Sequence, residues 1–567
     1  MNPLGLLVEA IANAFRLLRN LLASVLPAPE YVVLSVSGAL PERREAPGGL
    51  LRRILARRGI FDAGGPQESL EEWRDRLRLI AGEPRVRGIV LKIADLTAGP
   101  ASVEGLRAAL AAFRGTGKRV VAFAPAIDLK GYWLASAADA VIVPESAEIG
   151  LHGPRTEVSF LRVALDRLGL TPQYHHIAEY KTAAHRFLYP QMTGAQREMT
   201  GALLDGFFAE MLSSIASSRS RDEAVVREAI DDGLLSAAMM QAKGLVDGVA
   251  FEDELPAMLG TDRPARLIPW AQARRTLRVP YRWRSLDRRA IAVVELVGAI
   301  VPGESRDLPL PVPLLGAHLA GHETVARAFR AAERDPAVKA VVFHVESGGG
   351  SAVASDMIWR EVERVRRSKP VVVFMGNVAG SGGYYVACGS AYIVAGATTL
   401  TGSIGVVAGK ISARALAERV GVRREGLQRG ESAAMFSAFT MFTEREWSAL
   451  RWWMQEIYAR FTGRVASGRG KPQAEVEALA RGRVYTGRQA LALGLVDEIG
   501  DFETAVRRAR ALAGIPEAAD VPAITVRPPR LAAIPSASGG GWLEGLTRAA
   551  RLLQEPALLV MGEDVEV

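Results

Sequence analysis

The chain repeats itself at long range, and this repeat limits its possible folds more than any other feature. Residues 131–153, GYWLASAADAVIVPESAEIGLHG, align without gaps on residues 383–405, GYYVACGSAYIVAGATTLTGSIG. Gly131, Tyr132, Ala135, Gly150 and Gly153 fall on Gly383, Tyr384, Ala387, Gly402 and Gly405, each 252 positions later. The same spacing sets Gly88-Ile89-Val90 on Ala340-Val341-Val342. Gly244-Leu245-Val246-Asp247 returns 250 positions on as Gly494-Leu495-Val496-Asp497, and YVVLSVSGAL (31–40) parallels IAVVELVGAI (291–300). Four blocks in one order mean two tandem copies of one domain, with a seam near residues 280–290. A period of this length is domain duplication, not a solenoid.

Each copy alternates short apolar strands with amphipathic helices. In the second copy residues 293–297, 340–345, 371–374 and 392–394 read as strands, and 322–333, 352–367 and 383–388 as helices. That alternation implies a mainly parallel α/β sheet. Beyond Gly409, residues 411–420, 444–466 and 473–481 read as helices. The stretch VVVFMGNVAGSGGYY (371–385) predicts a buried strand that breaks at Gly376-Asn377. A glycine turn then presents Ser381 just ahead of Gly382-Gly383 and a helix start. Such a turn exposes a hydroxyl, and the helix start offers unpaired N–H groups to a developing oxyanion. The plainer reading is a glycine-rich turn that happens to hold a serine.

The two copies differ where chemistry is expected. Ser381 corresponds to Leu129. The second copy has Glu346-Ser347-Gly348-Gly349-Gly350-Ser351 straight after a buried strand, where the first has Ala94-Asp95-Leu96-Thr97-Ala98 and no glycine. One copy keeps a nucleophile and a second glycine turn that could supply an N–H; the other has lost both together. A base is still needed. His318, His322 and His344 are candidates, His344 reading more simply as a packed strand residue. A lysine serves if burial leaves its amine neutral. Of the nine lysines, Lys181 stands out in HHIAEYKTAAHRFLYP, beyond an extended segment and beside small residues; its counterpart 250 positions on is Glu431. The spacing also fits a surface lysine.

Other chemistries find little support. The single Cys388 excludes an intrachain disulfide and a cysteine-based metal site, and the seven histidines form no ligand pattern, so no metal and no cofactor are expected. There is no phosphate-binding glycine loop. The net charge of +8 is spread along the chain, which suits a solvated or anionic-membrane-facing surface and not a nucleic-acid footprint. Residues 3–26 run apolar at helical spacing through Leu7, Ile11, Phe15, Leu18, Leu22 and Val25, interrupted by Glu9, Arg16 and Arg19. That pattern fits an interfacial anchor, or a poor transmembrane helix, better than a cleavable signal, with Pro27 and Pro29 ending it. Packing on the chain's own body is the other reading. The uncharged stretch 370–409 is too rich in glycine and hydroxyl residues for a membrane span and reads as buried strands and turns. Beyond about residue 525 a Pro/Ala/Ser/Gly-rich linker leads to a short amphipathic helix, Trp542 to Leu553.

These motifs together resemble the signal peptide peptidase A family in its long, duplicated bacterial form, over roughly residues 30–510. DPAVKAVVFHVESGGGSAVASDMI, GSGGYYVACGSAYIVAGATTLTGSIG and GRVYTGRQALALGLVDEIG match its oxyanion, nucleophile and C-terminal segments in order, and EYKTA resembles the segment bearing its general base. Gly348 stands where the family usually has proline. The resemblance implies Ser381 as nucleophile, Lys181 as base, Ser403 orienting the lysine, and backbone N–H groups of Gly349 and Gly382 as oxyanion hole. It implies two tandem Clp/crotonase-like ββα-superhelix domains behind an N-terminal membrane-associated helix. The segments are then 1–28 (anchor helix), 29–285 (the copy with the lysine), 286–525 (the copy with the serine) and 526–567 (linker and short helix). The implied protein is a Ser-Lys serine endopeptidase that degrades cleaved signal peptides and other short apolar peptides. It would be a homotetramer held to lipid by its first helix, at the bacterial inner membrane, with its catalytic part in the periplasm. A crotonase-like acyl-thioester enzyme and a non-catalytic membrane scaffold are the alternatives.

Overall fold

The computed structural model describes residues 3–44, 68–283, 287–312, 316–517, 519–527 and 558–560. The expected helix at 542–553 lies outside them. Packing divides the chain into two compact units: Met1–Pro154 with Phe207–Arg288, and Arg155–Gly206 with Arg289–Glu566. Residues 155–206, within the first sequence copy, therefore pack with the second.

Both units are α/β. The first has a six-stranded, wholly parallel sheet in the order Leu267–Pro269, Tyr31–Val36, Gly88–Ile93, Arg119–Phe123, Ala140–Val143, Gly248–Val249. The second has Val484–Thr486, Leu400–Gly402, Val371–Gly380, Val338–Ser347, Ala290–Val297 and Ala523–Thr525, parallel except at its first pair. Parallel strands are covered on both faces, which explains why these segments read as unbroken apolar runs rather than alternating ones. Val371, Val372, Val373 and Met375 are all fully buried.

The residues that carry the repeat make the same bonds in each copy. Tyr132 donates its hydroxyl to the Leu245 carbonyl at 2.6 Å, and Tyr384 donates to Leu495 at 2.8 Å. Asp247 accepts the Val141 N–H at 2.7 Å and pairs with Arg219 at 2.6 Å. Asp497 accepts the Ile393 N–H at 2.8 Å and pairs with Arg469 at 2.5 Å. Sequence identity survives where a buried polar group needs one particular partner.

A second sheet of the second unit runs Arg306–Val312, Gly316–Gly321, Ala299–Val301, Gly349–Ser351, Leu558–Val560, Val407–Ser412, Thr171–His176. Two expectations change here. Residues 411–420 do not form one helix. Val407–Ser412 is a strand paired antiparallel with Thr171–His176, and only Arg414–Arg419 is helical, because the extended edge of 171–176 claims the backbone first. The strand beginning at Val371 does not end at Gly376-Asn377; it runs through them to Gly380.

Candidate active site

Ser381 sits where the strand Val371–Gly380 meets the helix Gly382–Ala387, with φ 54° and ψ −112°. Few non-glycine residues hold such a backbone, and strain of this kind collects at functional turns. The turn is held on both sides: Ser381 donates its N–H to the Gly402 carbonyl at 2.8 Å, and its carbonyl accepts from Tyr385 N–H at 2.8 Å. Ser381 occupies the N-cap position yet caps nothing with its hydroxyl. In the first copy the cap is Asp128, whose carboxylate accepts the Gly131 N–H at 2.7 Å, and Leu129 follows where Ser381 would be.

The hydroxyl goes to Lys181 instead. The Nζ atom lies 2.7 Å from Ser381 Oγ, 2.9 Å from the Ser403 carbonyl oxygen and 3.0 Å from Ser403 Oγ. All three residues are buried, Lys181 at 1% exposure. Burial alone pushes the Lys181 amine well below the ordinary lysine range, with no charged partner offsetting it. Glycines make room for this lysine. A Cβ on Gly482, which has φ 81°, would lie 2.5 Å from Lys181 N, and one on Gly405 would lie 3.1 Å from Lys181 Cδ. Ser403 has φ 51° and donates its N–H to the Arg483 carbonyl at 2.7 Å.

The second glycine turn closes on the nucleophile. A Cβ on Gly382 would stand 3.1 Å from Gly349 Cα and 2.7 Å from Ser355 Oγ, so the two turns touch with no space for a side chain. Gly349 has φ 113°. Its N–H donates to Ser347 Oγ at a long 3.2 Å. After the turn, Ser351 caps the helix Ala352–Val365, accepting the Ala354 N–H at 3.3 Å. The strand Leu558–Val560 lies antiparallel along this turn, Val560 opposite Gly349 and Leu558 opposite Ser351.

The structure thus brings Ser381, Lys181, Ser403, Gly349 and Gly382 together. The histidine candidates are occupied elsewhere: His318 Nδ1 is 2.8 Å from Asp307, His322 Nδ1 accepts the Gly303 N–H at 3.0 Å, and His344 stacks on Phe374. Sequence reasoning missed Gly482 and the Lys181-facing role of Gly405. A glycine's identity is visible in a sequence, but the neighbour that excludes its side chain is not. Among the described residues no cluster suits a metal ion.

The family model described as peptidase family S49 matches residues 112–263 and again 363–516, once in each copy. Protease 4 of Haemophilus influenzae is 31% identical over 455 residues, 76% of this chain and 71% of that protein. Protease 4 of Salmonella typhi is 30% identical over 501 residues, 85% of this chain and 78% of that protein. The chloroplastic serine protease SPPA of Arabidopsis thaliana is 30% identical over 453 residues, 78% of this chain and 66% of that protein.

Proposed function

This chain belongs to peptidase family S49 and is a serine peptidase, and from that premise we propose that it is an endopeptidase working through a Ser381–Lys181 dyad. The observation that carries the reading is the match between lysine contacts and the needs of a neutral amine. A neutral amine has two N–H donors and one lone pair. Ser403 O and Oγ accept the two donors, which leaves the lone pair for the Ser381 hydroxyl at 2.7 Å.

Ser381 Oγ attacks the scissile carbonyl carbon while its proton passes to Lys181. The oxyanion takes the N–H groups of Gly349 and Gly382, displacing the long Ser347 contact on the former. Lys181 returns the proton to the leaving amine as the C–N bond breaks, leaving an acyl-enzyme. It then takes a proton from the water that attacks this ester, and Ser381 is regenerated. Substrates are cleaved signal peptides and other short apolar peptides. A main chain lying extended along Gly349–Ser351 would pair as Leu558–Val560 does. Membership of the family disfavours the thioester and scaffold alternatives. A fluorophosphonate probe tests the reading: it should add one label, lost in Ser381→Ala, and a label elsewhere would refute it.

The architecture we read as two Clp/crotonase-type ββα spirals, with residues 29–285 and 286–525 as the copies. In support, Ala290–Val297, Ala299–Val301 and His322–Arg334 follow the order of Val338–Ser347, Gly349–Ser351 and Ala352–Val365 (a long strand, a short strand in the second sheet, a helix), with the strands Arg306–Val312 and Gly316–Gly321 inserted before the first of the two helices.

The helix Pro3–Val25 we assign to a lipid surface. It is turned inside out for a water-soluble helix. Asn13 and Asn20 face the body, each bonding a backbone N–H and carbonyl there, of Arg282 and Val279 respectively. Phe15, Leu18, Leu22 and Val25 are exposed at 70%, 57%, 62% and 86%. An apolar half-cylinder suits the headgroup boundary of a bilayer. Among the described residues no helix is long and apolar enough to cross a membrane. Homotetrameric assembly, and placement at the bacterial inner membrane with the catalytic part periplasmic, complete the proposal from the family resemblance.

A further inference from the structure

The ladder between Val338–Ser347 and Val371–Gly380 is regular from Val341 opposite Val371 to Val345 opposite Met375, and resumes at Ser347 opposite Ala379. One residue, Glu346, therefore faces three: Gly376, Asn377 and Val378. This is a bulge with two extra residues on one strand, and bulges beside active sites re-aim the residues after them. The amides it strands are taken by the Glu346 side chain. Oε2 accepts the Asn377 N–H at 2.8 Å and the Asn377 side-chain amide at 3.4 Å, and Oε1 accepts the Val378 N–H at 3.1 Å. A Cβ on Gly376 would stand 1.9 Å from Oε2, so only glycine admits the carboxylate. Thr399 donates its hydroxyl to the Gly376 carbonyl at 2.7 Å, closing the other edge.

Glu346 also stands immediately before the Ser347-Gly348-Gly349 turn, and its own carbonyl accepts the Gly298 N–H at 2.9 Å. It ties the strand that ends in the oxyanion turn to the strand that ends in Ser381. The first copy supplies a natural control. Phe123 pairs with Ile142 as Phe374 does with Val394, and Ala126 with Glu148 as Val378 does with Leu400. Between those anchors the second copy has Met375-Gly376-Asn377, and the first only Ala124-Pro125. Proline has no N–H to offer, and Ala94 stands in place of Glu346. The carboxylate, the extra residue and the second amide are missing from the copy that lacks the nucleophile.

We propose that Glu346 is a positioning residue: its carboxylate substitutes for the missing ladder partners and fixes the distance between Ser381 and the Gly349 turn. Its two oxygens accept from the Asn377 and Val378 amides, which is a holding role. The inference rests on the peptidase reading above. Removing a charged acceptor from two amides lets the bulge relax, and a misplacement of about 1 Å at a reacting centre costs on the order of 10²-fold in rate.

The test uses the full chain as wild type, Glu346→Ala and Glu346→Gln, with kcat, KM, fluorophosphonate labelling rate and melting midpoint measured together. Glu346→Ala should lower kcat and the labelling rate by the same factor, on the order of 10², with KM little changed and the labelled fraction at long times still complete. Glu346→Gln, which keeps one acceptor oxygen, should fall between. If Glu346→Ala does not fold, the Gln variant alone carries the comparison. Wild-type rates in a folded variant would overturn the proposal. So would a loss that lies in KM, or one that tracks only the labelled fraction, which marks a purely structural role. An inert wild type would instead bring down the peptidase mechanism itself, so the two failures are separable.

Discussion

Lys181 is costly to the fold, and the proposed reaction is what its buried amine would serve. Its folded pKa is depressed from the ordinary 10.5 by burial. Between the folded value and 10.5 the unfolded chain holds a proton that the folded chain lacks, so stability falls as pH drops through that window. Lys181→Met should therefore raise the melting midpoint at neutral pH by a few degrees, and the gain should vanish above pH 10.5. The same change should cut turnover by at least about 10³-fold. In the wild type kcat/KM should rise with pH as the amine deprotonates, with a midpoint well under 10.5; Ser403→Ala should move that midpoint. A pH-rate series beside a melting series measures both. Gly482→Ala is a sharper probe of the lysine's support. Its φ of 81° alone costs an alanine about 1–2 kcal/mol, and the methyl would press on Lys181 N, so kcat should suffer more than stability. Ser381 and the glycine turns could be picked out of the sequence because the two copies depart from each other at both places together. Lys181 was harder. Nothing in EYKTA states that residues 200 positions away bury it.

At the scale of elements, strands and helices were legible wherever the apolar pattern was long. The strand segments read at 340–345 and 371–374 and the helices read at 322–333 and 444–466 lie inside Val338–Ser347, Val371–Gly380, His322–Arg334 and Glu444–Arg469. Reading failed where a partner distant in sequence decides. Residues 407–412 are a strand because Thr171–His176 is beside them, and the strand at 371 runs on through Gly376-Asn377 because Glu346 accepts the Asn377 and Val378 amides. The strand Leu558–Val560 was also unforeseen. It occupies the edge of Gly349–Ser351, the rail a substrate main chain would use. Deleting residues 557–567 should therefore raise kcat/KM on short peptides several-fold, and adding a peptide of that sequence back should inhibit. Unchanged kinetics in the truncated chain would mean the strand does not compete with substrate.

Over the whole molecule, duplication followed by divergence explains the layout. Each copy kept the tyrosine, aspartate and arginine contacts that hold its core, while the two groups of the proposed dyad are divided: Lys181 lies in the first copy's sequence and Ser381 in the second. The inverted first helix belongs to this scale too. Phe15→Glu with Leu18→Glu should abolish co-flotation with anionic lipid vesicles and leave hydrolysis of a soluble peptide intact. Flotation equal to the wild type would remove the helix from the membrane account. The division of the dyad is the central claim, and one experiment meets it directly: hydrolysis of a fluorogenic apolar peptide by the wild type, Ser381→Ala and Lys181→Ala, each verified as folded. Activity in the wild type and its loss in both variants is the predicted result. A Lys181→Ala protein that still cleaves at the wild-type rate, with the same rise toward high pH, would contradict it.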